Sequence, residues 1–326
     1  GAKLGDNGFY RSYVKGARRD GGERADGSEA FDGWHSYTAG FRSDVSRDRN
    51  EFTLQGDMFA DNTKDDFNQG ILTAPFTTNI REDSESHGGN LLGRWTHAMT
   101  GGSEISVQGY LDFTHFDAVS LAESRLTADM EAQHVFSPFE AHTVVWGAGY
   151  RVTADSIENS AFARFEPGTE TDQVFSAFLQ DKIELVPDTL DVTIGSKFEV
   201  NDYTGFEWQP SVRTSWRPTD NDVLWAAVSR ALRTPTRGEN DLRIDGGVVP
   251  GALPLLVTVD GNDKLKSEEV IAYELGYRTQ PRPNLSLDVA AFYNVYHSLT
   301  TVRQGTTFFV GGGVPHLELP LTVDDS

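Results

Sequence analysis

Phenyl rings and guanidinium groups recur together in the polar connections of this sequence. Phe67 and Phe76 share one connection, Phe162, Arg164 and Phe165 another, and Arg233, Arg237 and Arg243 enter or lie in a third. A ring face stacks on an aromatic ligand, and a guanidinium gives charge-assisted, bidentate hydrogen bonds to oxyanions. These positions are the candidate binding residues, and the chemistry they suit is recognition of an anionic, aromatic ligand. Exposed arginines also neutralise phosphate groups of neighbouring lipid, and the residue types give both roles equal weight.

No catalytic motif is visible. The sequence has no Gly-x-Ser-x-Gly elbow, no His-Glu-x-x-His zinc motif and no Gly-x-x-x-x-Gly-Lys phosphate loop. Its 8 histidines are scattered and it has no cysteine, so thiolate metal sites, disulfides and cysteine nucleophiles are excluded. The acidic run Asp61–Asp66 (DNTKDD) offers loop carboxylates to calcium but lacks the ligand order and central glycine of an EF-hand. It reads as a solvated loop. Gly311–Gly313 has no strand–helix context for phosphate binding and reads as a flexible connection. The chain is therefore read as a non-enzyme with no cofactor and no metal site.

The elements that must position the candidate residues follow from charge and period. In 326 residues there are 49 acidic and 28 basic side chains, a net charge of −21, which argues against a nucleic-acid partner. The longest apolar-leaning stretch, Gly246–Val259, contains Pro250 and Pro254 and falls short of the ~18 residues a membrane helix needs. No signal peptide is visible in Gly1–Gly8. Absence of helical spans leaves the membrane open, because a membrane β-barrel carries its apolar residues at every second position.

Period-2 alternation runs through most of the chain. In Asn284–Tyr296, Leu285, Leu287, Val289 and Val295 oppose Ser286, Asp288 and Asn294. In Asp191–Val200, Val192, Ile194 and Phe198 oppose Thr193, Lys197 and Glu199. About thirteen such segments are present, each of roughly ten or more residues, the reach of a tilted membrane-spanning strand. Short turns at 47–50, 100–103, 137–140, 186–189, 217–222 and 279–284 alternate with longer polar connections at 20–33, 62–89, 115–123, 153–170, 202–206 and 234–267. A barrel with one short-turn rim and one long-loop rim explains that rhythm. With lipid outside, Arg151, Lys182, Lys197, Arg213, Glu274, Arg278 and Asp288 face the lumen, while Trp95, Trp146, Trp216, Trp225, Tyr150 and Tyr277 form outward girdles.

Several segments resemble the barrel of TonB-dependent outer-membrane receptors, the family that imports iron–siderophore complexes and cobalamin. They include Gly8–Ala17 (GFYRSYVKGA), Phe52–Asp57 (FTLQGD), Gly89–Trp95 (GNLLGRW), Val145–Arg151 (VWGAGYR), Phe175–Lys182 (FSAFLQDK) and Asn201–Pro210 (NDYTGFEWQP). The most specific are Leu224–Pro235 (LWAAVSRALRTP) and Leu265–Tyr277 (LKSEEVIAYELGY), an Arg-Thr-Pro strand end followed by a Glu-rich strand start. The resemblance implies an all-β, antiparallel up-and-down transmembrane barrel in the outer membrane of a Gram-negative bacterium. It further implies energy-coupled uptake of a metal chelate, a ferric siderophore foremost and a cobalamin-like ligand second. The TonB system, a plug against the lumen-facing charges, and lipopolysaccharide are the implied partners. Loops are the implied recognition surface. Nothing here resembles the plug, and a complete barrel of this family has roughly 22 strands. Residues 1–326 are therefore expected to be a single β-barrel domain fragment, an open sheet without plug or terminal strands. The alternatives are a plug-less, passive porin-like channel and a soluble extracellular β adhesin.

Overall fold

The computed structural model describes residues 1–325 and is almost wholly strand. From the N-terminus run the stub β1 (Ala2–Lys3), β2 (Gly8–Arg19), β3 (Trp34–Arg47), β4 (Asn50–Gly70), β5 (Thr77–Ala98), β6 (Glu104–Ala118), β7 (Leu121–Phe136) and β8 (His142–Glu158). After the short β9 (Ala163–Phe165) come β10 (Thr169–Val186), β11 (Leu190–Asn201), β12 (Gly205–Thr219) and β13 (Asp222–Arg233). A helical turn, α1 (Arg237–Asp241), leads into β14 (Leu242–Val249) and β15 (Leu255–Asp260). Then follow β16 (Glu268–Arg282), β17 (Leu285–His297), β18 (Thr300–Gln304), β19 (Phe308–Val310) and β20 (His316–Asp325).

Fourteen strands make one antiparallel sheet in which each pairs with the next, β9, β14 and β15 standing outside it. Apart from the two-residue β1, these are the long alternating segments of the sequence. The sheet is not closed: among the described residues no pairing joins β17 to β1 or β2.

Register carries the alternation from strand to strand. Phe52, Trp95, Val107 and Ala132 stand in line on one face, as do Val212, Val228, Tyr273 and Tyr293. Ile194, Phe198, Leu285, Leu287 and Val289 belong to that face and are exposed. The opposite face carries Arg151, Lys182, Lys197, Arg213, Glu274, Arg278 and Asp288. It is the inner one, because the chain folds back over it: Arg237 of α1 reaches Asp155 and Glu170, a register pair on this same face. Cavities of about 460 and 480 Å³ also lie against it, lined by Lys182, Arg213 and Glu274 and by Glu131 and Lys197. Burial is thus inverted relative to a water-soluble domain of this size. Among the described residues the buried apolar side chains are Ile157, Ala163, Phe165, Ala227, Leu256 and Leu265. The apolar surface of the sheet faces out, where lipid would meet it. Among the described residues no helix is long and apolar enough to cross a membrane.

The concave wall is relieved by glycines lying under cross-strand rings. A Cβ on Gly276 would stand 2.2 Å from the Trp225 indole, and one on Gly147 2.5 Å from the Phe178 ring. Side chains converge on the inside of a curved sheet, so a large ring there needs a neighbour without a side chain. Trp225 therefore lies on the inner face and is not part of an outward girdle, which corrects the sequence expectation. The cause is local: Leu224–Val228 is apolar on both faces, so no polar residue sets the register. Trp95, Trp146, Trp216, Tyr150 and Tyr277 do share the outer face.

Two of the long connections are also different. β4 and β5 run 21 and 22 residues, so most of the expected connection 62–89 is a continued hairpin turning at 71–76. β6 and β7 likewise meet at a turn of residues 119–120. Excess length at the long-loop rim is carried there as strand, not as loop.

Candidate functional site

At the long-loop rim a second sheet roofs the concave side. Its order is β18-β20-β15-β14-β9, with β19 on β20, and β20 runs parallel to β15 from Leu255↔Leu317 to Asp260↔Thr322. We call it the cap. It touches the β4–β5 hairpin: the Phe67 and Phe162 rings meet edge to face at 4.9 Å, and Gly70 backs onto Gly247 and Val248. The buried apolar residues other than Ala227 lie at this rim: Ala163, Phe165 and Leu256 in cap strands, Ile157 at the end of β8 and Leu265 in the connection to β16.

Local sequence explains how the cap starts. Pro235 ends β13, and Thr236-Arg-Gly-Glu239 forms a capping box. The Glu239 amide donates to Thr236 Oγ1 (3.3 Å), and the Thr236 amide donates to Glu239 Oε2 (2.9 Å). The carboxylate that completes the box also receives Arg233, whose Nη2 donates to Glu239 Oε1 (2.8 Å), Glu268 Oε1 (2.9 Å) and Thr300 Oγ1 (2.7 Å). Arg233 thereby ties the end of β13 to α1, β16 and β18.

Arg237 is the centre of the cap and is 6 % exposed. Its Nε lies 2.7 Å from Asp155 Oδ2, its Nη1 2.9 Å from Asp241 Oδ2 and against Glu170, and its Nη2 donates to the Pro167 carbonyl at 2.5 Å. The guanidinium stands 5.4 Å over the Phe165 ring. One cation thus holds three carboxylates drawn from β8, β10 and α1. Arg243 does the same for Asp245, Asp260 and Glu318 at 3.4, 3.3 and 3.0 Å. Arg164, opposite it in register, reaches Asp245 at 3.3 Å.

The structure therefore brings Phe162, Arg164, Phe165, Arg237 and Arg243 together, joins Phe67 to them through Phe162, and sets Arg233 beneath them at the root of the cap. Phe76 stands apart at the hairpin turn, where its φ is +68°. Phe165 is 9 % exposed. With Arg237 it is consumed by the cap itself, and neither presents a free face to a ligand. This corrects the sequence expectation for those two residues. Sequence reasoning missed the acids. Asp241 follows Arg237 at i+4 and Asp245 follows Arg243 at i+2, which are readable signals, whereas Asp155, Glu170 and Glu318 are distant in sequence. No group of three or more His, Asp or Glu side chains is arranged to hold a metal among the described residues.

Electrostatics in this cluster are pulled both ways. Burial, and then the adjacent Asp241 carboxylate, push Glu170 from an ordinary 4.5 up to about 7, outweighing Arg237. Burial likewise raises Asp172, and burial with the Asp172 contact raises the Tyr203 phenol, whose hydroxyl donates to that carboxylate at 2.7 Å. Hydrogen bonding to Arg233 instead pulls Glu268 down to about 2. The folded cap holds the Glu170 proton more tightly than the unfolded chain does. Its contribution is fully present below pH 4.5 and lost as pH rises toward 7. Glu268 contributes above pH 4.5, and that is lost as pH falls toward 2. Intrinsic-rate-corrected hydrogen exchange across 159–168 and 234–242 should therefore show protection falling between pH 5 and 7.5, and Glu170→Gln should flatten that limb. Protection that climbs over the same interval contradicts the assignment.

With this geometry in place the chain was compared with known proteins. The family described as TonB dependent receptor-like, beta-barrel matches residues 2–323. The chain belongs to that family. The chain is similar over part of its length to the probable TonB-dependent siderophore receptor PirA of Acinetobacter baumannii, 28 % identical over 112 residues, 33 % of this chain and 15 % of that protein. It is likewise similar to the ferric enterobactin receptor of Pseudomonas aeruginosa, 32 % identical over 107 residues, 32 % of this chain and 14 % of that one. The crystal structure of the Acinetobacter baumannii siderophore receptor PirA superposes with a TM-score of 0.73 at 16 % identity, covering 98 % of this chain and 53 % of that one. A Pseudomonas aeruginosa ferric enterobactin receptor in complex with enterobactin gives 0.71 at 16 % identity, covering 99 % and 54 %. The chain thus spans about half the length of the solved receptors it superposes on, and what it shares with them is the partial barrel.

Proposed function

We propose that this chain is wall and cap of an outer-membrane TonB-dependent receptor that imports a metal chelate, a ferric siderophore foremost. The family match across residues 2–323 carries the reading. Inverted burial and a roofed long-loop rim support it, since a membrane wall needs the first and a gated ligand mouth needs the second. On this reading the cap rim is extracellular, and Phe67, Phe76, Phe162, Arg164 and Arg243 are its ligand-facing residues. Arg233 and Arg237 hold the mouth in shape.

The inner wall is proposed to pack against a plug. Arg151 Nε reaches Asp129 at 3.0 Å, Lys182 Nζ Asp191 at 3.5 Å, Lys197 Nζ Glu199 at 2.7 Å and Arg278 Nη2 Asp288 at 2.6 Å. Arg213 and Glu274 line the wall cavity on either side of Ala227, and among the described residues neither has an ion-pair partner. In this reading those two, with the likewise unpaired Arg94 and Glu131 of the second wall cavity, are charges left for a plug, and lipopolysaccharide meets the outer rim.

The decisive experiment is uptake of iron-labelled chelates by a receptor-deficient Gram-negative host carrying the full-length receptor, with and without its TonB system. Uptake that needs both receptor and TonB is expected. Uptake that persists without TonB and scales linearly with external concentration replaces the reading with a passive channel.

A further inference from the structure

We propose that the chelate this receptor takes is cationic or neutral rather than polyanionic. The inference rests on the uptake reading and concerns the sign of charge its mouth accepts.

The guanidiniums that seemed free in the sequence are occupied. Arg164, Arg233, Arg237 and Arg243 contact Asp245, Glu239, Glu268, Asp155, Glu170, Asp241, Asp260 and Glu318 between them. Carboxylates outnumber the cations, so the cap is acidic even where arginine is densest. A guanidinium already held by carboxylates, two or three for Arg233, Arg237 and Arg243 and a shared one for Arg164, gains little from an incoming anion, whose approach must also be made against those carboxylates.

Shape gives this sign a place to act. A cavity of about 700 Å³ opens between β9, α1 and β15, lined by Arg164, Glu166, Asp241, Arg243, Asp260 and Asp263 among others. That is within the roughly 300–1,000 Å³ that enclose small ligands. Arg164 and Arg243 are paired, and Asp241 and Asp260 are their or Arg237's partners. Glu166 and Asp263 are exposed on the cavity, and among the described residues no cation lies within ion-pair distance of either. The unspent charge facing an entering ligand is therefore negative. Lys264 and Lys266 are also unpaired, but they line a neighbouring cavity, which shares Asp263 as a wall and also contains the unpaired Glu207 and the Arg230–Glu269 pair.

An acidic mouth concentrates cations and repels a trianion at long range, an effect that salt screens. The test measures equilibrium binding of size-matched ferric chelates to reconstituted full-length receptor: a monocationic linear trihydroxamate, a neutral cyclic trihydroxamate and a trianionic tris-catecholate. The first two should bind tighter than the third, and added salt should weaken the monocation while strengthening the trianion. Glu166→Gln with Asp263→Asn, both at exposed positions without side-chain partners, should lower monocation affinity about tenfold, the loss of ~1.4 kcal/mol. The neutral chelate, unchanged in that variant, controls for folding. A tris-catecholate that binds tightest, with an order the double variant does not alter, overturns the charge inference and leaves uptake standing. Failure of every chelate to bind or to be taken up overturns the uptake reading itself.

Discussion

Replacing Arg237 by alanine is expected to release the cap from the barrel wall while leaving the wall intact. The guanidinium is the common partner of Asp155, Glu170 and Asp241, and the Asp155 side chain is only 2 % exposed. Removing one partner of a buried ion pair strands the other charges in a poorly solvated site, which costs about 3–5 kcal/mol. Part of that is recovered if Glu170 takes up a proton, which its raised pKa makes easy near neutrality. The loss should therefore be larger at pH 8 than at pH 5.5. Three segments converge on this one side chain: β8, the start of β10 and α1. Limited proteolysis should accordingly open 159–168 and 234–266 in the variant, with the membrane-embedded strands still protected. Arg237→Ala combined with Glu170→Gln should regain part of the resistance, because one stranded charge is gone. Wild-type cleavage kinetics in the single variant would show that the cap is held by its apolar contacts alone.

How much of this was legible beforehand depends on whether one face of a segment is dry. Where lipid sets one side, as at Val192, Ile194 and Phe198 against Lys197 and Glu199, alternation is unmistakable and the long strands were identified from it. Where both sides are wet the signal vanishes. Residues 61–70 and 77–86 are polar on both faces, so the extended β4–β5 hairpin read as a loop. What holds it is cross-strand pairing, with Asp66 receiving Arg81 Nε at 3.3 Å and Arg24 alongside. Where both sides are apolar it also fails, and Trp225 was turned the wrong way for that reason. The cap was invisible on other grounds. α1 is too short to show a helical period, and the partner of β15 is a strand more than fifty residues further on.

The candidate binding residues show the same division. Ring and guanidinium positions were readable by type, and their gathering at one rim followed from the rhythm of connections. Their pairing was not readable, because a carboxylate on β8 or β20 gives no sign in sequence that it meets an arginine in the sixth connection. Sequence found the guanidiniums of the cap but not the carboxylates that pair with them.

The outer face carries the second large effect. Leu275 lies near the middle of β16, between Ala226 and Ala291 in register, and is 59 % exposed on the apolar side. Its sequence neighbour Glu274 points to the concave wall. Leu275→Arg should impair assembly by about 2–4 kcal/mol, the cost of an arginine on the lipid face near mid-bilayer. Glu274→Gln should assemble normally, since the wall is wet and the amide keeps its volume and hydrogen-bonding capacity. The contrast between adjacent residues is the diagnostic part, because a soluble β protein exposing both faces to water would accept the arginine and notice neither change. Heat-modifiable mobility of the refolded receptor in lipid vesicles reads assembly directly. Facing is read separately with Leu275→Cys and Glu274→Cys in a chain that has no other cysteine. A membrane-impermeant thiol reagent should reach position 274 through the lumen and spare 275. Ready labelling of 275 with assembly indifferent to Leu275→Arg would place water, not lipid, against the apolar face, and the membrane assignment of this sheet would fall with it.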